Sequence, residues 1–136
     1  MEFDTKVAIV VREDLASWQK LNVAAFLATG VAASAPDAIG KPYEDASGRH
    51  YSALLIQPIR IHSADASGLQ RAFEQAHQRE LTMSVFVKAM FETGNDDDNR
   101  AAFIAEPAGA PDLVGIALRG PKKSIDKAIK GLPLHP

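Results

Sequence analysis

The sequence predicts an α/β fold, an α/β/α sandwich with helices on both faces of a largely parallel sheet. Three observations predict it. Lys6–Val11 is a continuous apolar, β-branched run with the composition of a strand buried on both faces. Beyond it, strand-length apolar stretches alternate with helical periodicities in the order β-α-β-α-β-α-β-α, the pattern of crossover connections. The longest helical stretch, about Ala16–Ala33, is apolar nearly all round from Leu21 onward. A helix without a polar face is covered on both sides, here by the sheet and by something else, such as a second subunit.

The elements follow in order. The first strand closes at Arg12-Glu13-Asp14-Leu15, where Asp14 or Ser17 can cap the long helix. Ser34–Gly48 holds Pro36, Gly40, Pro42 and Gly48 and reads as a loop with a short hairpin ending at Ser47-Gly48. His50–Ile61 reads as a second strand interrupted by Pro58, which cannot donate to a ladder and so marks an edge or a bulge. Asp65 caps a helix of about Ala66–Arg79 with Leu69, Phe73 and Ala76 on one face. Leu81–Ala89 is the third strand, and Asn95–Asp98 begins a short helix through about Ala105. Leu113–Leu118 is the fourth strand, and after Gly120-Pro121 a last helix spans Lys122–Lys130, stopped by Gly131.

Composition fits this reading and excludes several functions. The chain has 136 residues, 46% hydrophobic and 24% charged, enough for one packed domain over residues 1–136 without a staple. Cysteine is absent, which removes disulfides, thiolate metal sites and cysteine nucleophiles together. A net charge of −2 gives no global basic field to draw in nucleic acid. The start, Met1–Asp4, carries two acids before a short apolar run, the wrong charge and length for a secretory signal. Leu21–Ala35 is too short and too alanine-rich to span a bilayer. These readings predict a cytoplasmic protein with no membrane contact.

Motifs with known chemistry are sparse. No glycine-rich phosphate loop is present, and His50, His62, His77 and His135 lack metal-ligand spacing, so neither a cofactor nor a metal is expected. Asp96-Asp97-Asp98 reads as acid at a helix start, where it complements the dipole, rather than as a calcium loop. Ser17, Ser34 and Ser63 sit in no hydrolase elbow. Two features stand out. Asn22 interrupts the most apolar helix, and a buried amide must find partners or cost about 1–3 kcal/mol. Lys122 and Lys123 open the last helix, where the dipole prefers acids unless an anion lies near. Residues 119–136 carry a net +4, leaving −6 for the rest, so a basic closing segment offers a contact for an anion or RNA.

Three segments resemble the peptidyl-tRNA hydrolase II superfamily. Lys6–Leu15 is similar to its first strand and Arg-x-Asp-Leu turn. Asn22-Val23-Ala24-Ala25 falls where that family has Lys-Ile-Ala-Ala. Gly120-Pro121, Ile125-Asp126-Lys127 and Gly131-Leu132 are similar to its closing pattern, and Pro111 falls at its Ala-Pro-Gly loop. Trp18–Ala28, Gly94-Asn95 and Val114–Gly120 look like a bacterial branch of that superfamily, domain of unknown function family two thousand. The resemblance implies a mixed four-stranded sheet between helices, and a homodimer. It also implies where a hydrolase would differ. The family's lysine position holds Asn22, its glutamine position holds Phe26, and its acid-bearing segment would fall near Phe103–Ala108 without a match. Lys20 is two residues from the vacant lysine position, about 200° round the helix, and cannot replace it.

The expectation is therefore a peptidyl-tRNA hydrolase II-like domain without that catalytic set, binding a small anionic ligand. The cleft is expected at the carboxyl ends of the first and fourth strands. Arg12 and Arg119 would clamp the anion, Lys122 would add charge at a helix start, and Asn22 would orient the ligand. The alternatives are an esterase acting on peptidyl-tRNA or a related acyl adduct, and a structural dimer module packed through Leu21–Ala33.

Overall fold

The computed structural model describes residues 2–136. Strand β1 (Thr5–Arg12) leads into helix α1 (Ser17–Ser34), then a 3-10 turn at Pro36–Ala38 and a small hairpin of β2 (Tyr43–Glu44) and β3 (His50–Tyr51). Strand β4 (Ile59–Ala64), helix α2 (Ala66–Gln78) and strand β5 (Thr82–Val87) follow. A second 3-10 turn (Lys88–Glu92) and helix α3 (Asp96–Ile104) precede strand β6 (Leu113–Pro121) and helix α4 (Lys122–Ala128).

Four strands form one sheet in the order β4-β1-β6-β5. The apolar run predicted as a strand does lie at its centre and is covered on both faces. Val7, Ile9 and Val11 meet Val23, Leu27 and Val31 of α1, while Ala8 and Val10 meet the layer made by α2 and α4. Leu69, Ala72, Phe73 and Ala76 of α2 and Ile125 and Ala128 of α4 complete that second core.

The sheet is not largely parallel. Only β1 and β4 pair in parallel; β1 with β6 and β5 with β6 are antiparallel. The crossover logic still holds for β1, β4 and β5, which run in one direction with α1 or α2 between successive members. It fails at α3, which buries no residue and packs on the Lys88–Glu92 turn. A helix that covers no sheet face carries the chain back to the end it left. Strand β6 therefore returns antiparallel and inserts between β1 and β5.

Local chemistry differs from expectation at two boundaries. Neither Asp14 nor Ser17 caps α1. The N-cap is Ala16, whose backbone N–H donates to Gln19 Oε1 at 2.9 Å, while Asp14 is engaged by Arg12. The stretch read as one strand over 50–61 divides: His50–Tyr51 belongs to the hairpin, and β4 begins just after Pro58 and runs on to Ala64. The hairpin turn is organised by Asp45, which accepts from the Ser47 hydroxyl and from the Ser47 and Arg49 N–H groups, with Gly48 at φ +89°. These donors, led by the Ser47 hydroxyl, pull the Asp45 carboxyl down to about 2. Asp65 does cap α2, accepting from Gly68 N–H at 2.8 Å, and Asn95 caps α3 by accepting from Asp98 N–H at 2.8 Å.

Helix α1 lies close on the sheet because two contact points are glycines. A Cβ at Gly115 of β6 would stand 2.5 Å from Val23 Cγ1 and 3.1 Å from Leu27 Cδ1. One at Gly30 of α1 would stand 2.7 Å from Ser84 Cβ. At this separation Ser84 Oγ donates to Leu27 O at 3.0 Å, tying β5 to the helix backbone. Burying Val23, Leu27 and Val31 stabilises the contact by about 1.5–3 kcal/mol each. The substitution Gly115→Ala should therefore lower unfolding free energy by about 1–3 kcal/mol in urea titration, the ordinary cost of overpacking. Val23→Ala removes the atom that the new methyl meets, so the double variant should lose less than the sum of the two single losses. Strict additivity would show that this contact does not limit the approach.

Candidate functional site

The structure separates the four residues expected to share a site. Arg12 ends β1 opposite Ala64, whereas Arg119 lies on β6 opposite Val7, near the start of β1. Five residues of strand separate the two positions, about 16 Å. Because β6 runs antiparallel to β1, their carboxyl ends lie at opposite edges of the sheet, and the expected cleft between those ends does not form. Asn22 is exposed on the outer face of α1, and its side chain makes no hydrogen bond among the described residues, so it is not a satisfied core amide. Lys122 opens α4 beside Lys6, Gln57, Arg60 and Asp126, at the Arg119 end.

Each arginine is held by its own neighbours. The mostly covered Arg12 guanidinium donates from Nε to Asp14 Oδ1 at 2.7 Å, and from Nη1 to Asp112 Oδ1 at 3.1 Å and Leu113 O at 3.0 Å. Burial works against its charge, but the hydrogen bonds with Asp14 and Asp112 outweigh burial and raise its pKa. The same bond from Arg12 holds the Asp14 carboxyl below its ordinary value. Arg12 thus fastens the end of β1 to the turn before α1 and to the start of β6. At the other end, Arg119 Nε donates to Gln57 Oε1 at 3.1 Å and Nη2 to Thr5 Oγ1 at 3.3 Å. Gln57 is buried and donates to Thr5 O at 3.0 Å, joining the loop before β4 to the first residue of β1. Lys6 Nζ pairs with Asp126 Oδ1 at 2.6 Å, which engages the one acidic side chain of the basic closing segment.

A groove that sequence reasoning missed lies between α1 and the edge strand β4. It encloses about 460 Å³ and is lined by Val11, Lys20, Leu21, Ala24, Ile59, Arg60, Ile61, Leu134 and His135. One wall comes from the segment Pro133–Pro136, which pairs along the outer edge of β4. There Ser63 N–H donates to Pro133 O at 3.0 Å and His135 N–H to Ile61 O at 2.8 Å. The groove is apolar except for Lys20, Arg60 and His135, and no acid lines it. Among the described residues, neither Lys20 nor Arg60 has a side-chain hydrogen bond or ion pair. His135 Nε2 is covered from solvent and unpartnered. One signal for this groove was present in the sequence: Lys20 is the only charged residue of α1. Nothing in the sequence pointed to His135 as its neighbour.

Chemically, then, this is an α/β domain with an open apolar groove and a cationic rim. The chain belongs to the family described as Protein of unknown function (DUF2000), whose profile matches residues 5–136. A solved structure of a protein of unknown function from Agrobacterium tumefaciens strain C58 is similar at 42% identity and a TM-score of 0.96. The likeness covers 99% of this chain and 100% of that one. No curated protein matches. No helix is long and apolar enough to cross a membrane among the described residues.

The Arg12 contacts make a stability prediction with a pH sign. Arg12→Met should cost about 1–2 kcal/mol in urea titration, since it strips covered charged hydrogen bonds that end on exposed acids. The Asp14 pKa is depressed in the folded state, so its contribution is full above the unfolded carboxylate value of about 3.9. That contribution is lost as pH falls through the lower folded value. Stability measured against pH should therefore fall less steeply in acid for Arg12→Met than for the parent.

Proposed function

We propose that this protein is a cytoplasmic binding domain for a small organic anion, and that the groove between α1 and β4 is its site. The observation that supports the reading is the pairing of an apolar trough with Lys20 and Arg60, neither of which makes an ion pair among the described residues. Unpaired cations beside a low-dielectric wall attract an anion more strongly than the same charges in open solvent. The open, largely pre-formed shape suits a ligand that enters without reorganising the sheet. Arg12, Arg119 and Lys122 act elsewhere, in fastening strands and in the neighbouring groove.

The peptidyl-tRNA hydrolase II likeness belongs to this reading as ancestry of fold. It is supported by Gly120-Pro121 leading from the last strand into a Lys122-Lys123 helix start. No observation favours the esterase alternative, since Asn22 stands exposed where that family has its lysine.

The reading is tested by ¹⁵N-resolved titration with butyrate and with phosphate. Amide shifts should gather at Val11, Leu21, Ala24 and Ile61. Each exposed ion pair contributes about 1 kcal/mol, about fivefold in Kd, so Lys20→Ala and Arg60→Ala should each weaken binding about fivefold. Absence of any shift with either anion, in a folded protein, would overturn it.

A second reading is favoured by a specific observation on the same helix. Trp18, Leu21 and Phe26 are 62%, 72% and 54% exposed, and α1 carries no charge after Lys20. Two copies of a charge-free apolar face meet no like-charge repulsion, so we propose self-association of two copies through α1. Light scattering should give a dimer at micromolar concentration, and Ala25→Arg, at the exposed centre of that face, should dissociate it. A parent protein that stays monomeric would remove this reading.

A further inference from the structure

A second, mainly apolar cavity of about 460 Å³ adjoins the groove at Ile59, lined by Ala28, Ala32, Leu54, Leu55, Gln57 and Ile59 among others. The two share Ile59 as a common wall. Together they form a trench that follows the helix from Lys20 to Ala32. Twelve residues of helix rise about 18 Å. Its floor is Ala24, Ala28 and Ala32, and its far wall is Ile61, Ile59 and then Leu55.

The polar groups in this trench are unevenly placed. Lys20 stands at the end beside Val11 and Ile61, next to His135, whose Nδ1 lies 2.9 Å from Pro136 O and whose Nε2 is covered from solvent. Arg60, between Ile59 and Ile61 on β4, also lines the cavity at Lys6, Lys122 and Asp126, and among the described residues no charged side chain lines the cavity beyond Ile59. A compact inorganic anion would use the cations and leave the remaining apolar trench in water. An elongated amphiphile uses both. We propose that the ligand is a free aliphatic carboxylate, its carboxylate at Lys20 and its chain along Ala24, Ala28 and Ile59. This deepens the anion-binding reading above and rests on it.

The size of the expected effect follows from the chain. A fully buried methylene is worth about fourfold in Kd, and an open trench that half-covers it about twofold. Across butyrate, hexanoate, octanoate and decanoate, Kd should therefore fall about two- to fourfold per methylene, measured by calorimetry at a protein concentration where scattering shows one oligomeric state. Octanol, which has the chain without the charge, should bind at least about fivefold more weakly than octanoate. Leu54→Ser changes an exposed residue of the second cavity that the core does not need, and should reduce the dependence of Kd on chain length.

Each other outcome overturns the proposal in an identifiable way. Equal affinity across the series, with butyrate and phosphate still bound, would leave the anion reading standing and remove the aliphatic one. No binding of any anion would remove both. Affinity that falls as protein concentration rises would mean that a second copy of the chain fills the trench. Sedimentation with anionic phospholipid vesicles, without binding of monomeric decanoate, would assign the trench to a lipid surface instead.

Discussion

The seating of α1 on the sheet at Gly115 governs most of what this fold presents. With no side chain at that position, Val23 and Leu27 drop against β6, and Val10 O lies only 3.2 Å from where a Cβ would stand. The close approach fixes the rotation of α1 as well as its depth. Val23, Leu27 and Val31 are committed to the sheet, so Trp18, Leu21, Asn22 and Phe26 must face outward. Lys20, Ala24 and Ala28 are left along the flank toward β4. An exposed apolar ridge and a flanking trench are thus two consequences of one packing contact. Trp18 and Phe26 are not wholly without neighbours. Trp18 meets Phe91 edge-on at 5.8 Å and Phe26 meets Phe86 at 6.1 Å, which anchors the ridge to the end of β5.

Insertion of β6 between β1 and β5 governs the charges. An antiparallel strand in the middle of the sheet brings its first residues to the Arg12 end and its last residues to the Thr5 end. Arg12 therefore meets Asp112 and Leu113, and Arg119 meets Gln57 and Thr5. Each arginine fastens a junction: one the β1–α1 turn to β6, the other the loop before β4 to β1. Charged side chains at strand ends are common anchors for that reason. Their donors reach the backbone and polar groups that the ladder itself leaves free.

How far the sequence discloses this molecule follows from which signals are local. The β-branched run at 6–11, the Asp65 cap, the Asn95–Asp98 helix start and the alternation of elements are readable because each depends on neighbours a few residues away. The antiparallel β6 was not readable from order alone. A helix between two strands implies a crossover only if it packs on the sheet, and α3, with three acids in nine residues and no buried one, does not. Asn22 misled for a related reason. On a helix apolar nearly all round, burial on both sides is the natural reading, yet the structure leaves the outer half of α1 open. The trench was least legible. Its walls come from residues near 20, near 60 and near 135, joined only by tertiary packing, and the lone charge of Lys20 was the sole local hint.

The pairing of Pro133–Pro136 on β4 links two properties that are usually separate. An edge strand exposes unpaired N–H and C=O groups, and proteins commonly cover such an edge to prevent association. Here the cover is a segment bonded to Ile61 and Ser63 and steadied by His62, whose Nδ1 lies 3.0 Å from Leu132 O. The same segment supplies Leu134 and His135 to the groove. Anything that holds a ligand against Leu134 and His135 therefore also holds the edge of β4 closed, because the two share one set of backbone hydrogen bonds. Conversely, release of this segment would open the groove wall and expose the edge in a single step. By linkage, a ligand that requires the closed segment stabilises it in proportion to its own binding free energy. Occupancy of the trench and protection of the sheet edge are in that sense one equilibrium.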